Sequence, residues 1–100
     1  MDDSLALAAV DLVKRPYSAV DLKLQRVMLE DAPREDLDHF FVSMAQALEA
    51  TVHVKVLDGT NDHHKFEAAV KAFALALKEA AARDLRRAKA RGPPSSKGSM

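Results

Sequence analysis

The sequence predicts an α/β fold of the two-layer α+β type, with a small mixed or antiparallel sheet and two helices on one face. Valines alternate with polar residues over residues 51–57, the pattern of a strand with one buried face. Apolar residues repeat at helical spacing on either side of that strand, over residues 36–50 and 62–84. Two more strand-like segments come first, at residues 4–13 and 17–25.

Composition limits what the chain can be. One hundred residues allow one small domain, predicted over residues 1–84, and a basic tail over residues 85–100 that ends in Pro-Ser-Ser-Lys-Gly. Fifteen basic and 15 acidic residues balance, which argues against nucleic acid as the main partner. The absence of cysteine excludes a disulfide scaffold, a zinc ribbon and a thiol nucleophile. No apolar run is long enough to span a membrane, so we expect a cytoplasmic protein, or a plastid one in a plant or alga.

The first segment, residues 4–13, is ambiguous because its alanines favour a helix, whereas Val10 and the break at Pro16 favour a strand. We interpret it as a strand buried largely on both faces, because both alternating sets are apolar. Alternation in residues 17–25 predicts a second strand, and the intervening turn at residues 14–17 predicts a hairpin between the two.

The two predicted helices each carry histidine. His39 lies beside the apolar stripe of the first helix, where a histidine is usually half-buried and hydrogen-bonded. His53 lies on the polar face of the central strand, so we interpret it as a surface residue. His63 and His64 open the second helix, behind a turn and cap formed by Gly59, Asn61 and Asp62.

The spacing at this helix start predicts a metal site. His63 and Glu67 are four residues apart and share one helix face, so both can ligate one ion. His64 lies roughly 100° further round the helix, which suggests that the pair serves two neighbouring metals. Lys71, one turn beyond Glu67, could meet an anionic group of a substrate. The alternative is a solvated helix start with an ordinary cap.

These residues resemble a known family. The segment from Gly59 to Ala68 resembles the second histidine signature of imidazoleglycerol-phosphate dehydratases, Gly-x-Asn-x-His-His-x-x-Glu-Ala. His39 stands in a His-Phe-Phe context 24 positions before His63, as a metal-binding histidine does in that family. The family's Asp-Leu-x-x-Arg-Pro-Tyr and Pro-Ser-Ser-Lys-Gly motifs are matched as well; the residues concerned are Asp11, Leu12, Arg15, Pro16 and Tyr17, and Pro94, Ser95, Ser96, Lys97 and Gly98.

The resemblance implies the second half of a duplicated chain, with half of a fold that is similar to domain 2 of ribosomal protein S5. It implies dehydration of imidazole glycerol phosphate to imidazole acetol phosphate in histidine biosynthesis, at two manganese ions. His39, His63 and Glu67 would serve one ion and His64 the other, with His63, His64 and Glu67 as the catalytic residues. The implied phosphate-binding residues are Arg15, Lys71, Ser95, Ser96 and Lys97.

Since the first half of the family's chain is not matched, the resemblance also implies that another half or subunit completes the site. The partners would then be a phosphate substrate and either further copies of this chain or the missing N-terminal half. Two alternatives stay open. One is an inactive half-length domain that binds metal or assembles, and the other is a nucleic-acid binder with a basic tail, which the zero net charge argues against.

Overall fold

The computed structural model describes residues 3–29 and 31–91. The elements follow in the order β1 (Leu5–Asp11), β2 (Tyr17–Asp21), β3 (Met28–Leu29), β4 (Ala32–Pro33), α1 (Arg34–Leu48), β5 (Thr51–Asp58) and α2 (Asp62–Arg91). A small mixed sheet with two helices on one face is the predicted fold, which is confirmed. The predicted phosphate-binding residues Ser95, Ser96 and Lys97 lie outside the described residues.

Strand β5 lies at the centre of the three-stranded sheet, whose order is β1-β5-β2. It pairs antiparallel with β1 and parallel with β2. The predicted hairpin between β1 and β2 is therefore wrong, because β5 occupies the position between them. The parallel pairing of β2 with β5 requires a crossover, and α1 supplies it. Strands β3 and β4 form a separate two-stranded ribbon in the segment that leads into α1.

The core lies between the sheet and the helices. Val52, Val54 and Val56 of β5 are at most 1% exposed, as their alternation predicts. Helix α1 packs on β2 and β5, and α2 packs on β1 and β5. The rings of Phe41 and Phe73 meet edge to face between the two helices, with centroids 5.5 Å apart. These contacts fix both helices on the same face of the sheet.

The other face of the sheet is open in the part of the chain that the structure describes. Leu5 and Leu7 of β1 are 58% and 60% exposed, and Tyr17 and His53 lie on the same side, with rings 5.7 Å apart. The prediction that β1 is buried on both faces is therefore wrong for the described chain, because both helices cover the side of Val52.

Helix α2 continues to Arg91, whereas the sequence pattern predicts an end near residue 84. Ala80 is the last buried residue of α2, and every residue from 81 to 91 is exposed. Alanine, arginine and lysine have high intrinsic helix propensity, so the chain stays helical after its packing partner ends. Arg83 donates from Nη2 to the carbonyl oxygen of Val10 at 3.5 Å. In the part of the chain that the structure describes, no helix is long and apolar enough to cross a membrane.

Gly59 in the turn between β5 and α2 cannot be replaced without strain. Its φ is +151°, and an added Cβ would lie 2.6 Å from Oγ of Ser4, closer than real Cβ contacts allow. We expect Gly59→Ala to lower the free energy of unfolding by about 1–3 kcal/mol. Urea unfolding followed by circular dichroism would measure the change. Thr60→Ala, at the exposed neighbouring position, is the control; equal stability of the two variants would contradict the expectation.

Candidate metal centre

The first turn of α2 is capped as the sequence predicts. Oδ1 of Asn61 accepts the backbone N–H of His64 at 3.0 Å, and the carbonyl of Asn61 accepts the N–H of Lys65 at 2.9 Å. Asn61 is thus the N-cap, and His63 and His64 lie in the first helical turn. The cap fixes the backbone that carries both imidazoles.

Each histidine of the pair faces its own carboxylate. Nε2 of His63 lies 3.4 Å from Oε2 of Glu67, and Nδ1 of His64 lies 2.8 Å from Oδ1 of Asp3. An ionised carboxylate only accepts hydrogen bonds, so His64 donates from Nδ1, and in the neutral imidazole Nε2 then carries the lone pair that can bind a metal. The two rings are not stacked, since their planes are 77° apart and their centroids 6.3 Å apart.

His39 lies on α1, whereas the histidine pair lies on α2. Its Nδ1 is 2.9 Å from Oγ of Ser43, one turn further along α1. The rings of Phe40 and Phe41 approach Phe66 with centroid distances of 6.5 and 6.1 Å. The turn of α1 that carries His39 therefore lies beside the first turns of α2.

Among the predicted ligands, His63 and Glu67 contact each other. Imidazole nitrogens with a carboxylate suit manganese, iron, cobalt or zinc, so the donor types fit the predicted metal. Among residues 3–29 and 31–91, however, no three His, Asp or Glu side chains form a group that could hold an ion. The structure thus shows His63 with Glu67, and His64 with Asp3, and it does not bring His39 into one three-donor group with them.

An open cleft of about 500 Å³ lies against the histidine pair. One wall is the start of α2, and the other is the segment between β2 and β3. The cleft is lined by Gln25, Arg26, Leu29, Thr60, Asn61, Asp62, His63 and His64. Its arginine and two imidazoles are groups that suit an anionic ligand, and Asp62 is the one acidic side chain among these lining residues.

A buried ion pair joins the two walls. The carboxylate of Asp62, 7% exposed, accepts the backbone N–H groups of Gln25 at 3.1 Å and Arg26 at 2.8 Å. Nζ of Lys65, 2% exposed, lies 3.6 Å from Asp62 and donates to the carbonyl oxygen of Lys23 at 2.7 Å. Two side chains from the first turn of α2 thereby hold the segment after β2.

Opposing effects act on the pKa of the Asp62 carboxyl. Burial raises this pKa, but the backbone hydrogen bonds from Arg26 and Gln25 and the nearby Lys65 ammonium outweigh it. The pKa of Asp62 is therefore lower than that of an ordinary aspartate. Asp62 thus stays ionised near neutral pH and pairs with Lys65.

The sequence model of the family described as imidazoleglycerol-phosphate dehydratase matches residues 1–77. The chain belongs to this family. Imidazoleglycerol-phosphate dehydratase of Eremothecium gossypii is 47% identical over 83 residues, which are 83% of this chain and 38% of that protein. The dehydratase of Chlorobium luteolum is 49% identical over 80 residues, 80% of this chain and 40% of that protein. The chain thus spans about two fifths of the curated relatives that it matches.

Solved structures of the imidazoleglycerol-phosphate dehydratase family share the fold. The crystal structure from Staphylococcus aureus superposes with a TM-score of 0.73 at 34% identity, covering 77% of this chain and 45% of that one. The Pyrococcus furiosus enzyme, solved in complex with (S)-C348, gives a TM-score of 0.66 at 41% identity, covering 77% of this chain and 43% of that one. The sequence comparison and the structural comparison thus both support membership of the dehydratase family.

Two of the predicted phosphate-binding residues, Arg15 and Lys71, are among the described residues, and they lie apart. Thr51, at the start of β5, donates from Oγ1 to the carbonyl oxygen of Arg15 at 3.1 Å. The histidine pair follows the opposite end of β5, which puts it roughly 25 Å from Arg15 at about 3.3 Å per strand residue. Lys71 is exposed on α2, one turn beyond Glu67. The structure places Lys71 near the histidine end and Arg15 at the far end of the sheet.

Four residues around the candidate site are not predicted from the sequence: Asp3, Arg26, Asp62 as an ion-pair partner, and Lys65. A signal for Lys65 exists, since it stands four residues before Ala69 and eight before Phe73, both buried. A lysine on a buried helix stripe needs an acidic partner, and the nearest acidic residue one turn back is Asp62. No comparable local pattern marks Asp3, whose partner His64 is 61 residues away, or Arg26, whose backbone N–H is held by Asp62, 36 residues away.

Proposed function

We propose that the chain takes part in the dehydration of imidazole glycerol phosphate to imidazole acetol phosphate in histidine biosynthesis, as a hydro-lyase. The observation that carries the proposal is the histidine pair that opens α2. Its two imidazoles face separate carboxylates beside a cleft bounded by an arginine, and the segment lies within the family match. Family membership supports the reaction, and the site supports the participation of these residues.

The proposed metal is manganese, with two ions in a complete site. When bound, such ions supply positive charge that polarises the substrate and stabilises developing negative charge. His64 would bind through Nε2, because Asp3 holds its Nδ1. His63, Glu67 and His39 would bind the other ion, which requires His39 to approach the pair more closely. Oε2 of Glu67 is also an acceptor within 3.4 Å of the His63 ring, where it can hold a proton.

The phosphate of the substrate would meet Lys71 together with Ser95, Ser96 and Lys97. Arg15 is a further candidate, but it lies at the far end of the sheet from the histidine pair of the same chain. Its participation therefore requires a second chain. We accordingly propose a homo-oligomer, or a complex with a separate N-terminal half, as the active form.

A second candidate function has an observation in its favour. No three potential ligands come together in the described chain, which favours a half-length metal-binding or assembly domain without turnover. The two candidates share the histidine pair and differ in whether the site becomes complete.

One experiment separates the two candidates. The mass in solution is measured by light scattering, with and without excess Mn²⁺, and dehydratase activity is assayed on the same samples. We expect a manganese-dependent increase in mass together with turnover. Assembly without turnover would identify the non-catalytic domain, and a chain with neither response would overturn both candidates.

A further inference from the structure

The cleft beside His63 and His64, here called the histidine cleft, carries the guanidinium of Arg26 on the wall that faces α2. Arg26 lines the cleft together with His63 and His64, and its side chain is exposed. Among residues 3–29 and 31–91, its guanidinium takes part in no hydrogen bond or ion pair. The five N–H donors of this group are therefore available on the cleft side.

The backbone of Arg26 is fixed, although its side chain has no partner among the described residues. Its N–H is held by the buried carboxylate of Asp62 at 2.8 Å, and Lys65 holds the carbonyl of Lys23 at 2.7 Å in the same segment. Arg34 donates to the carbonyl of Leu24 at 3.2 Å from the other side. Holding the backbone in advance lowers the conformational entropy that a binding residue loses when its ligand arrives.

Three acidic side chains of the described residues lie in or beside the cleft, and each has a partner. Asp62 is buried and pairs with Lys65, Asp3 pairs with His64, and Glu67 faces His63. Arg26 is thus left as the positive group that these carboxylates do not neutralise. A guanidinium with free parallel donors matches the oxygens of a phosphate group in a bidentate arrangement.

We propose that Arg26 is an oxyanion-binding residue of the histidine cleft, and that it recognises the phosphate group of an anionic ligand. The inference rests on the proposed function only for the identity of that ligand, a phosphate monoester. In one chain Arg26 borders the histidine cleft, whereas Arg15 lies at the far end of the sheet. Arg26 therefore contributes binding and orientation from the chain that carries the pair.

Inorganic phosphate is the probe, and the full chain is used without metal, so that the outcome does not depend on turnover. The ¹⁵N-labelled chain is titrated at constant ionic strength and pH 7.5, and the amide signals of Gln25, Arg26 and Thr60 are followed. Arg26→Gln removes the cation, and Arg26→Lys keeps the charge without the bidentate geometry. Arg86→Gln makes the same charge change on the exposed part of α2, roughly 35 Å along the helix from His63.

We expect the amide shifts at the cleft to saturate with phosphate in the unmodified chain. Arg26→Gln should lower the affinity for phosphate by at least about ten-fold, and Arg26→Lys should lower it by less. Arg86→Gln should stay within about two-fold of the unmodified chain, since charge screening limits its reach. Shifts that do not saturate, or an Arg26→Gln variant that binds phosphate no more weakly than Arg86→Gln, would overturn the proposal. Well-dispersed amide spectra would show that the variants are folded. We expect them to fold, because the side chain of Arg26 is exposed and is not part of the core.

Discussion

His64→Ala is expected to weaken Mn²⁺ binding at the proposed metal centre by at least about 100-fold and to abolish the proposed dehydratase turnover. The change removes the one imidazole whose Nδ1 is fixed by Asp3, at 2.8 Å, and whose Nε2 is thereby presented to a metal. Asp3→Asn keeps the ligand and weakens only its orientation, so we expect a loss of about 10–100-fold. Isothermal titration with Mn²⁺, alongside the activity assay, measures both effects.

The matched control for the His64 variant is His53→Ala. His53 is an exposed histidine on the open face of the sheet and contacts Tyr17 rather than the pair. We expect its removal to leave Mn²⁺ affinity and turnover unchanged. If His64→Ala bound Mn²⁺ as tightly as His53→Ala, the histidine pair would not be the metal centre, whatever the family relationship.

Asp62→Ala is expected to lower the free energy of unfolding by about 3–5 kcal/mol, a large share of the 5–15 kcal/mol typical of small domains. The variant leaves the Lys65 ammonium buried without its carboxylate and leaves the N–H groups of Gln25 and Arg26 without an acceptor. Urea unfolding followed by circular dichroism gives the stability. Hydrogen exchange at the amides of Gln25 and Arg26 should accelerate, because Asp62 is their acceptor.

Two further variants decide whether burial of the pair causes that loss. Asp62→Ala combined with Lys65→Met removes both charges and should cost less than the single change, since no unpaired ammonium remains in the core. Asp21→Ala breaks the exposed Asp21–Lys23 pair, 3.7 Å apart, and should cost less than about 1 kcal/mol. An Asp62→Ala variant as stable as Asp21→Ala would show that the buried pair does not hold the segment after β2.

The proposed metal ligands and the buried Asp62–Lys65 pair differ in how far the sequence predicts their positions. The cap at Asn61, the helix start at the histidine pair and the inward valines of β5 follow from spacing within a few residues. Such patterns depend on the 3.6-residue helix repeat and the two-residue strand repeat, which are local properties of the chain. The predictions of the cap, the helix start and the inward valines are confirmed.

The predictions that failed concern contacts between distant segments. A turn next to Pro16 suggests that β1 and β2 pair, but β5, more than 30 positions later, lies between them and gains two partners. Local alternation likewise cannot show that both helices cover one side of the sheet and leave Leu5 and Leu7 exposed. The end of α2 at Arg91 reflects intrinsic helix propensity without packing, which the apolar stripe alone does not report.

The sequence by itself determined the two-layer fold class, the family and the histidine pair, because these depend on residue types at short and regular spacing. Only the tertiary structure decided that Asp3 faces His64, that Asp62 and Lys65 join the cleft walls, and that Arg15 lies at the far end of the sheet. Each of these contacts joins residues that are dozens of positions apart in the sequence. Burial, strand pairing and sheet order together bring such residues close, and no single segment encodes that result.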